Sequence, residues 1–362
     1  MIGVPNAFHE WKRRISDVLS DTLKIRGAEF ESIHDLGADS CARLERFSVS
    51  GKLIRGGLVC LGAALDAGDV SEPAVQAGAA IELFQSALLV HDDIMDRDER
   101  RRGAVSVYAQ YARVAESEGM AEATRVGESL GICAGDIAFF IAFELLANLD
   151  LPAVVTKEIV VLCSRELQYV GVAQMADVYR GATSFTSSTD TVGESDRTLR
   201  IYLYKTGRYT FALPLMVGAL ISGADSRRIE ILEHLGEKLG VLFQIKDDEI
   251  GTFGREIEIG KPVGSDIREG KKTIYYTELL SAVDGSERER LDSIFGNTNA
   301  DDRDIEWVKS LIESSGVSKT VAAYVDRYAS EADAFISRLG DVHEPTKAVI
   351  RELHEYNMHR SR

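Results

Sequence analysis

Two short phrases in the sequence concentrate acid in apolar surroundings. The first runs Gln85-Ser-Ala-Leu-Leu-Val-His-Asp92-Asp93-Ile-Met-Asp96 and leads into Arg100, Arg101, Arg102 and Gly103. On a helix, at about 100° per residue, Asp92 and Asp96 stack one turn apart, with Asp93 to one side and Gln85 two turns earlier on the same stripe. Carboxylates this close repel one another unless a cation neutralises them. Hard oxygen ligands in this number suit Mg²⁺, which commonly bridges protein carboxylates to substrate phosphates. Ile81, Phe84, Leu88 and Leu89 place the approach to these acids inside the protein.

The second phrase is Phe243-Gln244-Ile-Lys-Asp247-Asp248-Glu249-Ile-Gly251. Gln244, Asp247, Asp248 and Gly251 fall at i, i+3, i+4 and i+7, one continuous helical face. A lone Asp-Asp pair says little, but two apolar helices that each deliver one can face each other across a bundle and assemble a polynuclear metal site. Cations stand near both phrases: Lys52 and Arg55, the run Arg100 to Arg102, Lys205 before Thr206, and Lys261, Lys271 and Lys272. Each alone reads as a surface charge. Together, with metal ions supplying the rest, they suffice to bind two diphosphates.

The elements that must carry these groups read as helices. Apolar residues recur at helical spacing over Ala74–Asp98, Val126–Ala147, Thr156–Tyr179 and Arg227–Ile250, and the six prolines are widely separated. No convincing strand is visible, so the sequence predicts an all-α fold, residues 1–362 forming one large helical bundle. Gly181 to Asp196 is small and polar and reads as a loop; Gly251 to Gly270, with five glycines and Pro262, reads as a second irregular stretch following the paired acids directly.

Bulk properties narrow the function. The formal charge of −16 argues against a nucleic-acid surface, which relies on excess Lys and Arg. Cys41, Cys60, Cys133 and Cys163 show neither zinc-site nor disulfide spacing, as expected of a protein in a reducing cytoplasm. The opening residues lack the pattern of a secretory signal. The most membrane-like run, Gly131 to Leu149, carries Asp136 and Glu144; with about +2.5 to +3.5 kcal/mol for an Asp at a bilayer centre, a buried core helix is expected and no transmembrane segment.

From Gly51 to Thr273 these motifs, in this order, resemble the (E)-prenyl diphosphate synthase family. The resemblance implies an all-α fold around a central cavity, a homodimer, and Mg²⁺-assisted condensation of an allylic diphosphate with isopentenyl diphosphate. The family's first aspartate motif, with its following Arg-Arg-Gly, matches Asp92, Asp93 and Asp96 and then Arg101, Arg102 and Gly103. It implies that the aspartates hold Mg²⁺, that Arg101 contacts the allylic diphosphate, and that Arg102 joins Lys52, Arg55 and Gln85 on isopentenyl diphosphate. Gly56 stands where the family has proline, a departure expected to affect the turn more than the ligands. Gln174 and Asp177 match a cavity-facing helix, Lys205 and Thr206 the family's Lys-Thr pair, and Gln244, Asp247 and Asp248 its second aspartate helix. Lys261 and Lys271 fall to the allylic diphosphate with Lys205. Gly251 replaces the third aspartate of that second motif, which removes one metal-linked carboxylate.

The resemblance also places the residues that set product length just before Asp92. Small Ala87, with Leu88, favours passage beyond fifteen carbons, and Phe84 about one turn further back forms a deeper floor. A twenty-carbon product is expected, as in the similar bacterial, particularly actinobacterial, geranylgeranyl diphosphate synthases. Farnesyl or longer diphosphates are the alternatives. A terpene cyclase fits less well, because Glu249, Gly251 and Arg255 occupy critical places of its second motif, and a non-catalytic partner subunit fits less well because Asp92, Asp93 and Asp96 are intact.

Overall fold

The computed structural model describes residues 6–181, 193–254 and 264–360. The described residues group into two compact units, one comprising residues 6–162 with 214–224, the other the described residues of 163–213 and 225–360.

In the first unit, α1 (Ala7–Glu31), α2 (Asp35–Val49), α3 (Ile54–Ala63) and α4 (Glu72–Met95) precede a two-stranded hairpin, β1 (Arg100–Arg101) with β2 (Ala104–Val105). Then come α5 (Val107–Ser117) and α6 (Ala123–Ala147). Helix α1 buries Ile15, Leu19 and Leu23, one stripe at four-residue spacing. Helix α4 is apolar nearly all round, with Pro73 in its first turn, and is the central element. Gly56 of α3 and Gly78 of α4 bring those two backbones together; a side chain at either would press on the other helix.

Helix α6 departs from the expected buried core helix. It packs on α4 and α5 along one face and leaves Ile132, Cys133, Asp136, Phe140 and Glu144 exposed along the other. Both α4 and α6 are long and apolar enough to cross a membrane, as judged by length and composition.

Helix α7 (Ala153–Gly181) carries its residues from Cys163 onward into the second unit. There follow α8 (Glu194–Tyr202), a π-helical segment (Leu203–Ala212), α9 (Leu213–Ser222), most of which groups with the first unit, and α10 (Ser226–Phe253). The short α11 (Ser265–Glu269) leads to α12 (Ile274–Ala282), α13 (Gly285–Ile294), α14 (Asp302–Ser314), α15 (Val317–Arg338) and α16 (Glu344–His359). Asp225 starts α10 by accepting the Arg228 amide at 2.8 Å. Leu232, Leu235, Leu239, Leu242 and Ile245 then run along the buried face of that helix. Burying each contributes about 1.5–3 kcal/mol. Where α10 crosses the π-helical segment, Gly236 meets Ala212 and Gly240 meets Gly207 so closely that a Cβ on either α10 glycine would overlap backbone.

Of the polar stretch expected at 181–196, Gly181 closes α7 and Glu194 opens α8; residues 182–192 lie outside the described residues. The stretch expected from Gly251 begins later, since α10 continues to Phe253.

Candidate active site

In the first unit, the first acid phrase ends α4 with a Schellman turn. Asp96 is the C-cap rather than a helical residue, Arg97 follows at φ 57°, and the Asp98 amide reaches back to the Asp93 carbonyl at 2.8 Å. Asp96 still sits one turn beyond Asp92, whose carbonyl accepts its amide at 2.8 Å.

The three aspartates differ in environment. Asp96 is exposed and Asp92 half-buried, whereas Asp93 is fully buried. Its Oδ1 accepts the Arg101 Nε at 2.6 Å, and its Oδ2 has no hydrogen-bond partner. Burial pushes the Asp93 carboxyl up to about 6, against the pull of Arg101. The Arg101 Nη2 also reaches Asp98 at 3.0 Å and Asp92 at 3.8 Å.

Arg101 and Arg102 are separated in direction by the hairpin, a feature not expected from sequence. Its turn residues Arg102 and Gly103 both have positive φ, 55° and 77°, as a two-residue hairpin turn requires. Arg102 therefore turns away from Arg101 and donates to the Phe47 carbonyl at 2.8 Å, with its guanidinium 5.1 Å from the Phe47 ring. A Cβ on Gly51 would lie 2.9 Å from Arg102 Nη1, so the glycine makes room for the guanidinium. Exposed Lys52 is thus next in sequence to the residue that Arg102 lies against.

Glu82, which sequence reasoning missed, organises this corner. It is buried on α4 and accepts the Gly56 amide at 2.8 Å. Burial raises its carboxyl, while Arg55 and then Arg102 hold it down. Gly56 thus lies inside α3 rather than in a turn, and the family's proline would lack the N–H that Glu82 takes. Gln85 is half-buried on the same helix.

Ala87 and Phe84 are fully buried on α4. The Phe84 ring lies 4.8 Å from Phe143 and 6.1 Å from Phe139, both on α6, and Leu88 is half-buried nearby in sequence.

In the second unit, Lys205 and Thr206 lie on the π-helical segment, a geometry frequent at functional sites. Lys205 Nζ pairs with Asp177 of α7 at 2.6 Å, and Thr206 Oγ1 bonds Gln244 Oε1 of α10 at 2.9 Å. Gln174 is half-buried one turn before Asp177. Four residues on from Gln244, Asp248 is buried, taking the Gln244 Nε2 at 3.0 Å and the Tyr202 hydroxyl. Burial pushes the Asp248 carboxyl up to about 8, with the Tyr202 hydrogen bond pulling the other way. Tyr202 also accepts the Ile274 amide at 2.8 Å. Asp247, by contrast, is exposed and carries an ion pair from Arg360.

Gly251 lies in α10, and the Asp266 carboxylate of α11 stands where a Cβ would be. A third aspartate at 251 would collide with it, and Asp266 itself brings negative charge to Asp248. Lys271 is exposed and pairs with Glu269 at 2.8 Å. Lys261 lies outside the described residues.

Among the described residues no group of three or more acids, histidines or cysteines is arranged to hold a metal alone. The donor sets nevertheless fit Mg²⁺, which is usually bound through one or two carboxylates with substrate phosphates completing its shell: Asp92 with Asp96, and Asp247, keep accessible oxygens.

A predominantly helical chain with two aspartate pairs, the first held by Arg101 and the second by Arg360, is suited to handling diphosphates. Residues 43–312 match the polyprenyl synthetase family model. A geranylgeranyl diphosphate synthase of Sulfolobus acidocaldarius is 31% identical over 98% of both chains. A (2E,6E)-farnesyl diphosphate synthase of Mycobacterium tuberculosis is 33% identical over 84% of this chain and 79% of its own. The crystal structure of a Corynebacterium glutamicum geranylgeranyl pyrophosphate synthase, complexed with isoprenyl diphosphate and magnesium, superimposes with a TM-score of 0.86 at 26% identity, covering 98% of this chain and 99% of that one. The chain belongs to the polyprenyl synthetase family and is a trans-prenyltransferase.

Proposed function

We propose that the protein condenses isopentenyl diphosphate with an allylic diphosphate, with Mg²⁺ bound, to give geranylgeranyl diphosphate. The observation that carries this reading is the hairpin after α4, which aims Arg101 at the first acid cluster and Arg102 at the Gly51–Arg55 segment. Cations for an allylic and for an isopentenyl diphosphate are thereby separated by one turn.

On this reading Asp92, Asp96 and Asp247 would hold Mg²⁺, which would supply neutralising charge to the departing diphosphate. Asp93 and Asp248, assigned to the metal by resemblance, act from burial: Asp93 orients Arg101, and Asp248 fixes Gln244 and Tyr202. Arg101, Lys205, Lys261 and Lys271 bind the allylic diphosphate; Lys52, Arg55, Gln85 and Arg102 bind isopentenyl diphosphate. Gln174, Asp177, Thr206 and the Gln244 amide line the path of the allylic cation, where fixed dipoles stabilise charge that water would quench. The isopentenyl double bond attacks that cation, and loss of a proton to the departed diphosphate restores an alkene. The twenty-carbon product rests on small Ala87 and the Phe84–Phe143 ring pair, and on the geranylgeranyl-forming relatives.

We further propose that the two units work as one cytoplasmic catalytic domain, and that a second copy covers the apolar residues exposed on α6 and α7. Phe140 is 73% and Met175 72% exposed, with Val154, Val172 and Tyr179 also bare. Sedimentation of the parent and of Phe140→Asp tests this: a monomeric parent refutes the pairing.

The test of the reaction is incubation with isopentenyl diphosphate, Mg²⁺ and each of dimethylallyl, geranyl and farnesyl diphosphate, the products being sized chromatographically. Asp92→Ala should fold normally and lose orders of magnitude in turnover. Near-parental turnover in that variant, or no elongation by the parent, refutes the proposal.

A further inference from the structure

Arg360 follows the last residue of α16 with an extended backbone, φ −64° and ψ 142°. Three residues earlier, Asn357 ties α16 to α10 by donating to the Leu239 carbonyl at 3.3 Å. The guanidinium is thereby laid on α10, 3.8 Å from the Phe243 ring centroid, with Nη2 paired to Asp247. The side chain is only 5% exposed, and neither Nε nor Nη1 has a hydrogen-bond partner.

This is an unusual resting place. A buried guanidinium normally satisfies its whole donor fork. Here one nitrogen holds an acid whose own side chain is 50% exposed, while two buried donors go unmet. The pair is anchored on the arginine side and open on the aspartate side. A divalent cation arriving from solvent can reach Asp247 with twice the charge of the guanidinium and no aliphatic stem to bury.

We infer that Arg360 is the resident counter-ion of Asp247 in the metal-free protein, and that the divalent cation takes the carboxylate from it. This rests on the proposed role of Asp247 as a metal ligand. Loading the second acid pair then releases the end of α16 from α10. Metal uptake and the docking of that helix end oppose each other.

The test is Mn²⁺ binding to the full chain in the presence of inorganic diphosphate, followed by electron paramagnetic resonance. Arg360→Gln removes the competing charge and should bind the ion roughly fivefold tighter, the scale expected for a partly exposed ion pair. Arg360→Lys retains charge without the planar contact to Phe243 and should fall between; it decides the question if Arg360→Gln does not fold. A double-mutant cycle of Asp247→Asn with Arg360→Gln in urea unfolding should show coupling without metal and none with Mn²⁺ and diphosphate. Unchanged or weaker ion binding in the folded Arg360 variants overturns the exchange. If Asp247→Asn binds Mn²⁺ as the parent does, it is the ligand role of Asp247 that fails.

Discussion

Removing one oxygen atom, in Tyr202→Phe, separates a positioning role from packing. The Tyr202 ring is 8% exposed and belongs to the core formed by α8, α10 and α12, so phenylalanine keeps its contacts. What is lost is the hydroxyl that donates to Asp248 and accepts the Ile274 amide at 2.8 Å. With the Asp248 carboxyl pushed up to about 8, and so mostly protonated at neutral pH, the bond to it contributes about 0.5–1.5 kcal/mol, and an orphaned buried amide costs about 1–3 kcal/mol. A loss of roughly 2–4 kcal/mol follows, large against the ~5–15 kcal/mol typical of a domain. The second effect is electrostatic. Burial pushes the Asp248 carboxyl up and the tyrosine hydrogen bond opposes it, so without the hydroxyl the carboxyl rises further. The expected outcome is a lower urea midpoint together with a loss of stability on raising pH that extends further into the alkaline range than in the parent, read from urea unfolding in chelator at each pH. A midpoint within about 0.5 kcal/mol of the parent and a superimposable pH profile would refute the reasoning.

Three further outcomes are expected. Lys52→Ala or Arg55→Ala should raise the KM for isopentenyl diphosphate while Lys205→Ala lowers kcat with the allylic substrate; titrations with the reverse pattern would exchange the two sites. Phe84→Ala should lengthen the product and cost about 3–5 kcal/mol of stability, and Ala87→Phe should shorten it toward farnesyl diphosphate; folded variants giving the parent's distribution would place the floor elsewhere. In chelator, the raised carboxyls of Asp93 and Asp248 contribute stability below about pH 4, the unfolded range, that is lost as pH rises through about 6 and about 8 respectively. The stability of the parent relative to Asp248→Asn should therefore fall from pH 5 to 8.5 in urea unfolding, and a rising difference contradicts it.

The long helices were legible because burial on one face imposes a period, and both acid phrases because carboxylates in an apolar run demand a partner. Other features leave no such trace. A two-residue ladder such as Arg100–Arg101 with Ala104–Val105 carries no periodicity, and the π-helical segment has the same apolar spacing as the α-helices around it. Glu82 reads as one acid in an apolar helix until Gly56, 26 residues earlier, supplies its donor. Tyr202 and Arg360 act on Asp248 and Asp247 from 46 and 113 residues away, separations that only the fold closes. The missing third aspartate was visible as Gly251, but the carboxylate of Asp266 standing over it was not.

The seam where Gly236 and Gly240 of α10 meet the π-helical segment bears on how such a protein can diversify. Backbone there lies against backbone with no side chain between, so the spacing of Thr206 and Gln244 has no soft layer that drift could thicken or thin. The wall around Phe84 is the opposite case, built from the interchangeable rings of Phe84, Phe139 and Phe143. If the Phe84 wall sets product length as proposed, lineages descended from this sequence can explore new chain lengths one substitution at a time, whereas the spacing at the glycine seam is inherited whole or lost.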